Sequence, residues 1–199
     1  MAWSAKLGFE FRGVLIMKLY QVFSIAGTIA GFLLIGVCIS LSPWFNFYNN
    51  ALSDLGNMAL HGSTGWIFNV GLIAAGFFEA LCAVLLSARR VVWKYLMWTI
   101  PLTVAGVDLA LIGFFPENTG GTHFVVSVIF FVSLVLTMIL YSYASWPLGT
   151  PIIGAASIIM GISSIIVWYV SWPWRGVAIQ ETVTSALAAF WLIIVCQKN

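Results

Sequence analysis

The chain has 199 residues, of which 62% are hydrophobic and only 7% are charged, and its mean hydropathy is +1.05. Soluble domains carry about 25% charged residues, so this composition excludes a water-soluble globular protein and indicates a chain that is surrounded mostly by lipid. The net charge of +2 is small, and no basic run is interleaved with aromatic residues, which excludes the usual pattern of a nucleic-acid-binding protein.

Long apolar stretches follow one another along the whole chain. A helix needs about 20 apolar residues to cross the hydrocarbon of a bilayer, and this length predicts six transmembrane helices. We expect an all-α bundle with short loops, forming one transmembrane domain over residues 1–199. A β-barrel is disfavoured, because its strands alternate in polarity over about ten residues. The predicted spans lie near Leu19–Leu41, Gly65–Ser87, Tyr95–Phe115, Phe124–Ala144, Ile152–Val170 and Val177–Val195.

The positive charges are concentrated at alternate gaps between these spans. In a six-span chain, seven of the eight Lys and Arg residues lie on one side, and only Arg175 lies on the other. Cytoplasmic loops carry the excess of Lys and Arg, so the pattern predicts a multi-pass protein of the cell membrane with both termini in the cytoplasm. The cytoplasmic charges are Lys6, Arg12, Lys18, Arg89, Arg90, Lys94 and Lys198.

Three connections are therefore expected outside: Ser42–Thr64, Pro116–His123 and Ser171–Gly176. The first is the longest and is rich in aromatic residues. Within it, Asn50 is a candidate N-cap for a short helix over Ala51–Leu55, with Gly56 as its C-terminal cap.

Small residues mark two helix faces for close packing. The first span has Gly27 and Gly31, and the fifth span repeats Gly154, Ser157, Gly161 and Ser164 at helical spacing. We expect these faces to pack inside the bundle, and a homo-oligomer formed through either face is the alternative. Cys38, Cys82 and Cys196 show no metal-ligand spacing and are read as buried small apolar residues.

Three ionisable residues fall inside predicted spans, where such groups are costly and are often functional. Asp108 lies about 10 Å and Glu181 about 6 Å below the outer boundary, on the helical rise per residue. Glu79 is deeper, past the midplane toward the cytoplasm.

Other polar residues gather near the outer side, and together they predict a polar cavity that opens outward. Each has a structural alternative: Asp54 could only cap a turn, and the histidines could be interfacial residues without a ligand. The expected set is Asp54, His61, Asn69, Asp108, Glu117, His123, Arg175 and Glu181.

Several short motifs in the central half of the chain carry a family resemblance. The stretch Asn50–Gly56 contains Ser53-Asp54-Leu55-Gly56; Phe68-Asn69 precedes a glycine-rich span; Gly113-Phe114-Phe115-Pro116 follows, and then His123. Between Pro43 and about Ala144, their order and spacing resemble the prokaryotic membrane family, common in archaea, known as domain of unknown function 998. The resemblance implies a compact integral membrane protein and no established activity. A more distant likeness is to the FGF-receptor-activating-protein and autophagy-modulator type of membrane protein.

The resemblance and the polar residues leave three functions open. The first is a membrane protein that binds a lipid headgroup or small polar ligand in an outer-leaflet cavity, without chemistry. Membrane lipids are then the expected partners, and no cofactor is predicted. The candidate ligand-binding residues are Asp54, Asn69, Asp108, His123, Arg175 and Glu181.

The second hypothesis is an intramembrane metal-dependent hydrolase of lipid amides or esters. His61, His123 and Asp108 would bind zinc, Glu181 or Asp54 would be the base, and Ser53 would be an oxyanion donor. The third hypothesis is a proton-coupled carrier with Asp108 and Glu79 as relay sites at two depths. We rank ligand or lipid binding first, and the sequence does not decide whether any chemistry occurs.

Overall fold

The computed structural model describes the backbone of residues 2–89 and 92–198, and the side chains of residues 19–89 and 92–198. The predicted cytoplasmic charges at Lys6, Arg12, Lys18 and Arg90 lie outside the described side chains. Within the described chain there are six α-helices and no strand. The helices are α1 (Ala2–Ser40), α2 (Met58–Arg89), α3 (Trp93–Phe114), α4 (Gly121–Ser145), α5 (Pro151–Tyr169) and α6 (Ala178–Lys198).

Each of the six helices contains a stretch that is long and apolar enough to cross a membrane. Large apolar side chains cover the outside of the bundle: Leu33 is 61% exposed and Ile152 is 85% exposed. Such a surface requires lipid rather than water as its solvent. The predicted all-α architecture with six transmembrane helices is confirmed.

Consecutive helices pack against one another, and α6 returns to contact α1 and closes the bundle. A close approach joins α2 to α3, where glycines leave no room for a side chain. A Cβ at Gly106 would lie 2.8 Å from Cα of Ala80, and a Cβ at Gly113 would lie 2.9 Å from the Ile73 side chain. Lipid does not drive helices together, so such backbone proximity is an important source of dispersion attraction.

The two small-residue faces both pack inside the bundle. Gly27 and Gly31 lie against α2 at Ala75. Gly154 lies against Ser145 of α4, and Gly161 lies against Ile139 of the same helix. The expected intramolecular packing of these faces, which also include Ser157 and Ser164, is therefore what the structure contains.

An aromatic cluster fills the inner half of the bundle. Trp98 is fully buried and makes edge contacts with the rings of Tyr141 and Trp191, at centroid distances of 5.1 and 6.2 Å. Close by, the sulfur atoms of Cys82 and Cys196 lie 3.5 Å apart as free buried thiols. This packing leaves the open space of the bundle in its middle and outer parts.

The first outer connection is more structured than we expected. It contains a 3-10 helix over Leu52–Gly56, called here the outer 3-10 helix after the side on which the charge pattern predicts it, and α2 already begins at Met58. α2 is broken at Gly62, whose φ of 46° suits glycine. The prediction that Asn50 caps the short helix is wrong: the N-cap position is Ala51, and the Asn50 side chain instead donates to Asp54.

Backbone hydrogen bonds fasten this connection to the third outer connection. The Tyr48 carbonyl accepts from the backbone N–H groups of Arg175 and Gly176, at 3.0 and 2.9 Å. The Asn50 carbonyl accepts from Ala178 at 3.0 Å. The outer end of the bundle is thus covered by connections that hold one another in place.

Candidate functional site

A cavity of about 120 Å³ lies between the helices, beneath the outer 3-10 helix, and it is partly open to the surface of the bundle at exposed Phe32. Its walls come from α1, α2, α3, α4 and α6. On α1 the lining runs from Phe23 to Ile35, so the cavity is about 18 Å long at the helical rise of 1.5 Å per residue. Most of its wall is apolar, and its polar lining residues are Ser24, Thr28, Ser53, Glu79, Ser127, Glu181 and Ser185.

Glu181 and the outer 3-10 helix form the outer end of the cavity. Glu181 lies in the first turn of α6, and its Oε2 accepts a hydrogen bond of 2.5 Å from the backbone N–H of Leu52. This bond satisfies one of the N–H groups that a helix start leaves without a partner. Ser53, the next residue, also lines the cavity.

Local hydrogen bonds hold the outer 3-10 helix in position. Asp54 Oδ2 accepts from the Asn50 side chain at 2.9 Å and from the Ala51 backbone at 3.1 Å. At the other end, buried Asn69 on α2 donates to the Gly56 carbonyl at 2.8 Å. Asp54 and Asn69 therefore hold in place the outer 3-10 helix, which forms the cover of the cavity. Neither residue lines the cavity itself.

Glu79 forms the inner end of the cavity, on α2. It lies about 16 Å along the helix from Phe68, which lines the outer part. No hydrogen bond or ion pair joins its carboxyl group to any other group that the structure describes. The cavity thus has a carboxyl group near each end.

Two hydroxyl groups of α1 line the same inner region. Ser24 Oγ donates to the Gln21 carbonyl at 2.8 Å, and Thr28 Oγ1 donates to the Ser24 carbonyl at 2.9 Å. Gly27 lies between them and brings α1 close to the α2 backbone, since a Cβ there would lie 3.6 Å from the Glu79 nitrogen. Because both hydroxyl protons are already donated, these groups offer lone pairs to the cavity.

The remaining predicted site residues are held elsewhere. His123 Nδ1 is hydrogen-bonded to the Phe115 carbonyl at 2.8 Å, and the His61 ring stacks on Trp44 at 4.0 Å between centroids. Asp108 is buried on α3, and the structure gives it no hydrogen-bond partner among the described residues. Arg175 is exposed, and no interaction of its side chain is described. None of these four residues lines the cavity.

The expected convergence of acidic and imidazole groups is not observed in this cavity. Glu181 and Ser53 are the predicted site residues that line it, together with Glu79, the relay residue of the carrier hypothesis. Among the described residues, no three His, Cys, Asp or Glu side chains lie close enough together to hold a metal ion. His61, His123 and Asp108 therefore do not form the ligand group that the hydrolase hypothesis requires.

Four of the polar lining residues were not predicted as site residues: Ser24, Thr28, Ser127 and Ser185. A signal for the first two was present, because Ser24 and Thr28 flank Gly27 at helical spacing on the face predicted to pack closely. Ser127 and Ser185 stand singly among apolar residues, and no pattern distinguishes them.

Comparison with known proteins assigns the chain to a family. No curated protein matches it, and no solved structure matches it. A family model described as "Protein of unknown function (DUF998)" matches residues 25–198, which include the last 16 residues of α1 and all the later helices. The chain is a multi-pass membrane protein, and it belongs to the DUF998 family.

Proposed function

We propose that this protein binds one amphipathic, lipid-like molecule inside its helix bundle, with the apolar chain of that molecule in the cavity beneath the outer 3-10 helix. The observation that carries the proposal is the cavity of about 120 Å³, with apolar walls and a carboxyl group near each end. Mostly apolar walls with a few placed polar groups are typical of ligand pockets.

The size of the cavity favours an occupant. Protein interiors are close-packed, and voids larger than a water molecule are few. A single water needs about 10–15 Å³ of such space, so this cavity is roughly ten times larger. Its walls lose dispersion contacts when it is empty, and a hydrocarbon chain would restore them.

The distribution of Lys and Arg supports an orientation for the site. With seven of eight positive residues on one side, both termini are in the cytoplasm of a cell-membrane protein. The outer 3-10 helix and Glu181 then lie toward the outside, and Glu79 lies toward the cytoplasmic half. The ligand is drawn from the membrane lipids or from molecules dissolved in them.

Binding is better supported than the other two hypotheses. The hydrolase requires metal ligands from His61, His123 and Asp108, which make separate contacts or none. The carrier requires Asp108 and Glu79 in one path, and only Glu79 lines the cavity.

Photo-crosslinking tests the proposal directly. Probes with a diazirine on a dodecyl chain and a hydroxyl, ammonium or carboxylate head are added to the protein in lipid nanodiscs, and labelled peptides are mapped by mass spectrometry. We expect at least one probe to label cavity-lining segments of α1, α2 or α6. The variant Ala189→Phe fills the cavity from α6 and should abolish this labelling.

Ala186→Phe is the matched control. Ala186 is one turn away on α6 and is exposed on the outside of the bundle, whereas Ala189 lines the cavity. It should leave the labelling of cavity segments unchanged. The proposal is overturned if no probe labels these segments, or if Ala189→Phe and Ala186→Phe give the same labelling as the unsubstituted protein.

A further inference from the structure

We infer that the inner end of the cavity, formed by Glu79, Ser24 and Thr28, is a subsite for a primary ammonium group. The ligand class is then a long-chain primary amine whose hydrocarbon chain extends along the cavity toward Glu181. This inference rests on the proposed function, because it names the head group of the molecule bound there.

The charge of the lining is the first reason. Among the described side chains, the two ionisable residues that line the cavity are both carboxylic acids, and no Lys, Arg or His lines it. A carboxyl group within a bundle ionises only when it has a partner, and without one it stays protonated. Glu79 has no partner among the described groups, so a cationic ligand supplies what the protein does not.

Hydrogen-bond capacity is the second reason. Ser24 and Thr28 have already donated their hydroxyl protons to their own helix, so they can only accept from a ligand. The Glu79 carboxylate is also an acceptor. A primary ammonium has three N–H donors, which matches these three acceptors in number.

Other head groups fit this end of the cavity less well. A phosphate or carboxylate would meet acceptors and a negative charge, without a donor from Ser24 or Thr28. A hydroxyl group has one donor for three acceptors, and a quaternary ammonium has none. An inorganic cation would leave the apolar length of about 18 Å without an occupant.

The outer carboxyl group is less suited to hold the ammonium. One oxygen of Glu181 already accepts from the Leu52 backbone and fastens the cover. Glu79 makes no such bond, so its acceptor capacity is available for the ligand. This difference assigns the head group to the inner end.

The experiment uses unlabelled dodecylamine, dodecanol and dodecanoate as competitors of the photo-crosslinking probe in nanodiscs. It measures how strongly each compound reduces the labelling of the cavity-lining segments. We expect dodecylamine to compete best with the unsubstituted protein. In Glu79→Gln its apparent affinity should fall about tenfold or more, as expected for losing a charge-assisted hydrogen bond in a partly buried site. Dodecanol competition should change much less. The apparent affinity of each compound is compared between variants, so the different partitioning of the compounds into lipid does not affect the result.

Glu117→Gln is the matched control, because Glu117 is a carboxyl group in the second outer connection and does not line the cavity. It should leave the preference for dodecylamine unchanged. Thr28→Val is an independent variant that keeps the side-chain shape and removes one acceptor, and it should also weaken dodecylamine selectively. It serves in place of Glu79→Gln if that variant does not fold.

Two results overturn the inference while the proposed function stands. One is Ala189-dependent competition in which dodecanol or dodecanoate equals or exceeds dodecylamine. The other is an unchanged dodecylamine affinity in Glu79→Gln or, where that variant does not fold, in Thr28→Val. If no dodecyl compound competes at all, the proposed function itself fails.

Discussion

Gly56 lies at a point in the outer 3-10 helix where the surrounding atoms leave no room for a side chain. A Cβ there would lie 2.6 Å from Asn69 Oδ1 and 2.7 Å from the Phe68 ring. Asn69 cannot move away freely, because its amide donates to the Gly56 carbonyl at 2.8 Å. The glycine and the asparagine are therefore fitted to one another, and together they set the position of the cavity cover.

Gly56→Ala should destabilise the protein by about 1–3 kcal/mol, as overpacking of a tight contact does. Equilibrium unfolding in detergent measures this difference. Gly121→Ala is the control, because no atom lies within 4 Å of a Cβ at that position, and it should change stability by about 0.5 kcal/mol or less. Equal effects of the two substitutions would contradict the fitted contact.

At the scale of elements, α5 is joined to α6 by a buried hydrogen bond. Trp191 Nε1 donates to Ser157 Oγ at 2.7 Å, and Ser157 itself donates to the Ile153 carbonyl of its own helix. The hydroxyl thus links two helices. By contrast, the buried hydroxyl of Ser164 donates within α5 to Met160.

Ser157→Ala should cost about 1–3 kcal/mol, because it leaves the buried Trp191 N–H without an acceptor. Ser164→Ala removes an equally buried hydroxyl whose loss leaves no donor unpaired, so it should change stability much less. Thermal unfolding of the two variants, followed by near-ultraviolet circular dichroism, provides the comparison. A larger loss for Ser164→Ala would show that the bond does not hold the helices together.

At the scale of the whole molecule, the orientation is tested by thiol labelling in intact cells. Thr119→Cys and Lys94→Cys place exposed thiols at opposite ends of the bundle, whereas the native cysteines are buried. An impermeant maleimide should label Thr119→Cys in intact cells and Lys94→Cys only after permeabilisation, as the positive-inside pattern predicts. The unsubstituted chain provides the background, and the reverse labelling would invert the proposed orientation.

The number, order and approximate bounds of the helices were predictable because apolar length and charge mark them directly. The side of each helix that faces the cavity was not predictable. In a membrane protein the lipid-facing and core-facing sides are similarly apolar, so hydropathy does not show that Glu79 lines the cavity and Asp108 does not. Depth was therefore a poor guide to which ionisable residues line the cavity, and the hydroxyl groups of Ser24 and Thr28 carried too weak a signal to be grouped with Glu79.

The backbone hydrogen bonds between the first and third outer connections affect which positions there can change during evolution. The bonds from the backbone N–H groups of Arg175 and Gly176 to the Tyr48 carbonyl use only main-chain atoms, which every residue at position 48 and every residue except proline at position 175 possesses. Those two side chains can therefore vary among descendants without opening the cover. Gly176 cannot, because a Cβ there would lie 2.7 Å from the Asn49 carbonyl carbon and still closer to the Asn50 backbone. Of these three positions, position 176 is therefore the one at which we expect the residue, glycine, to be retained.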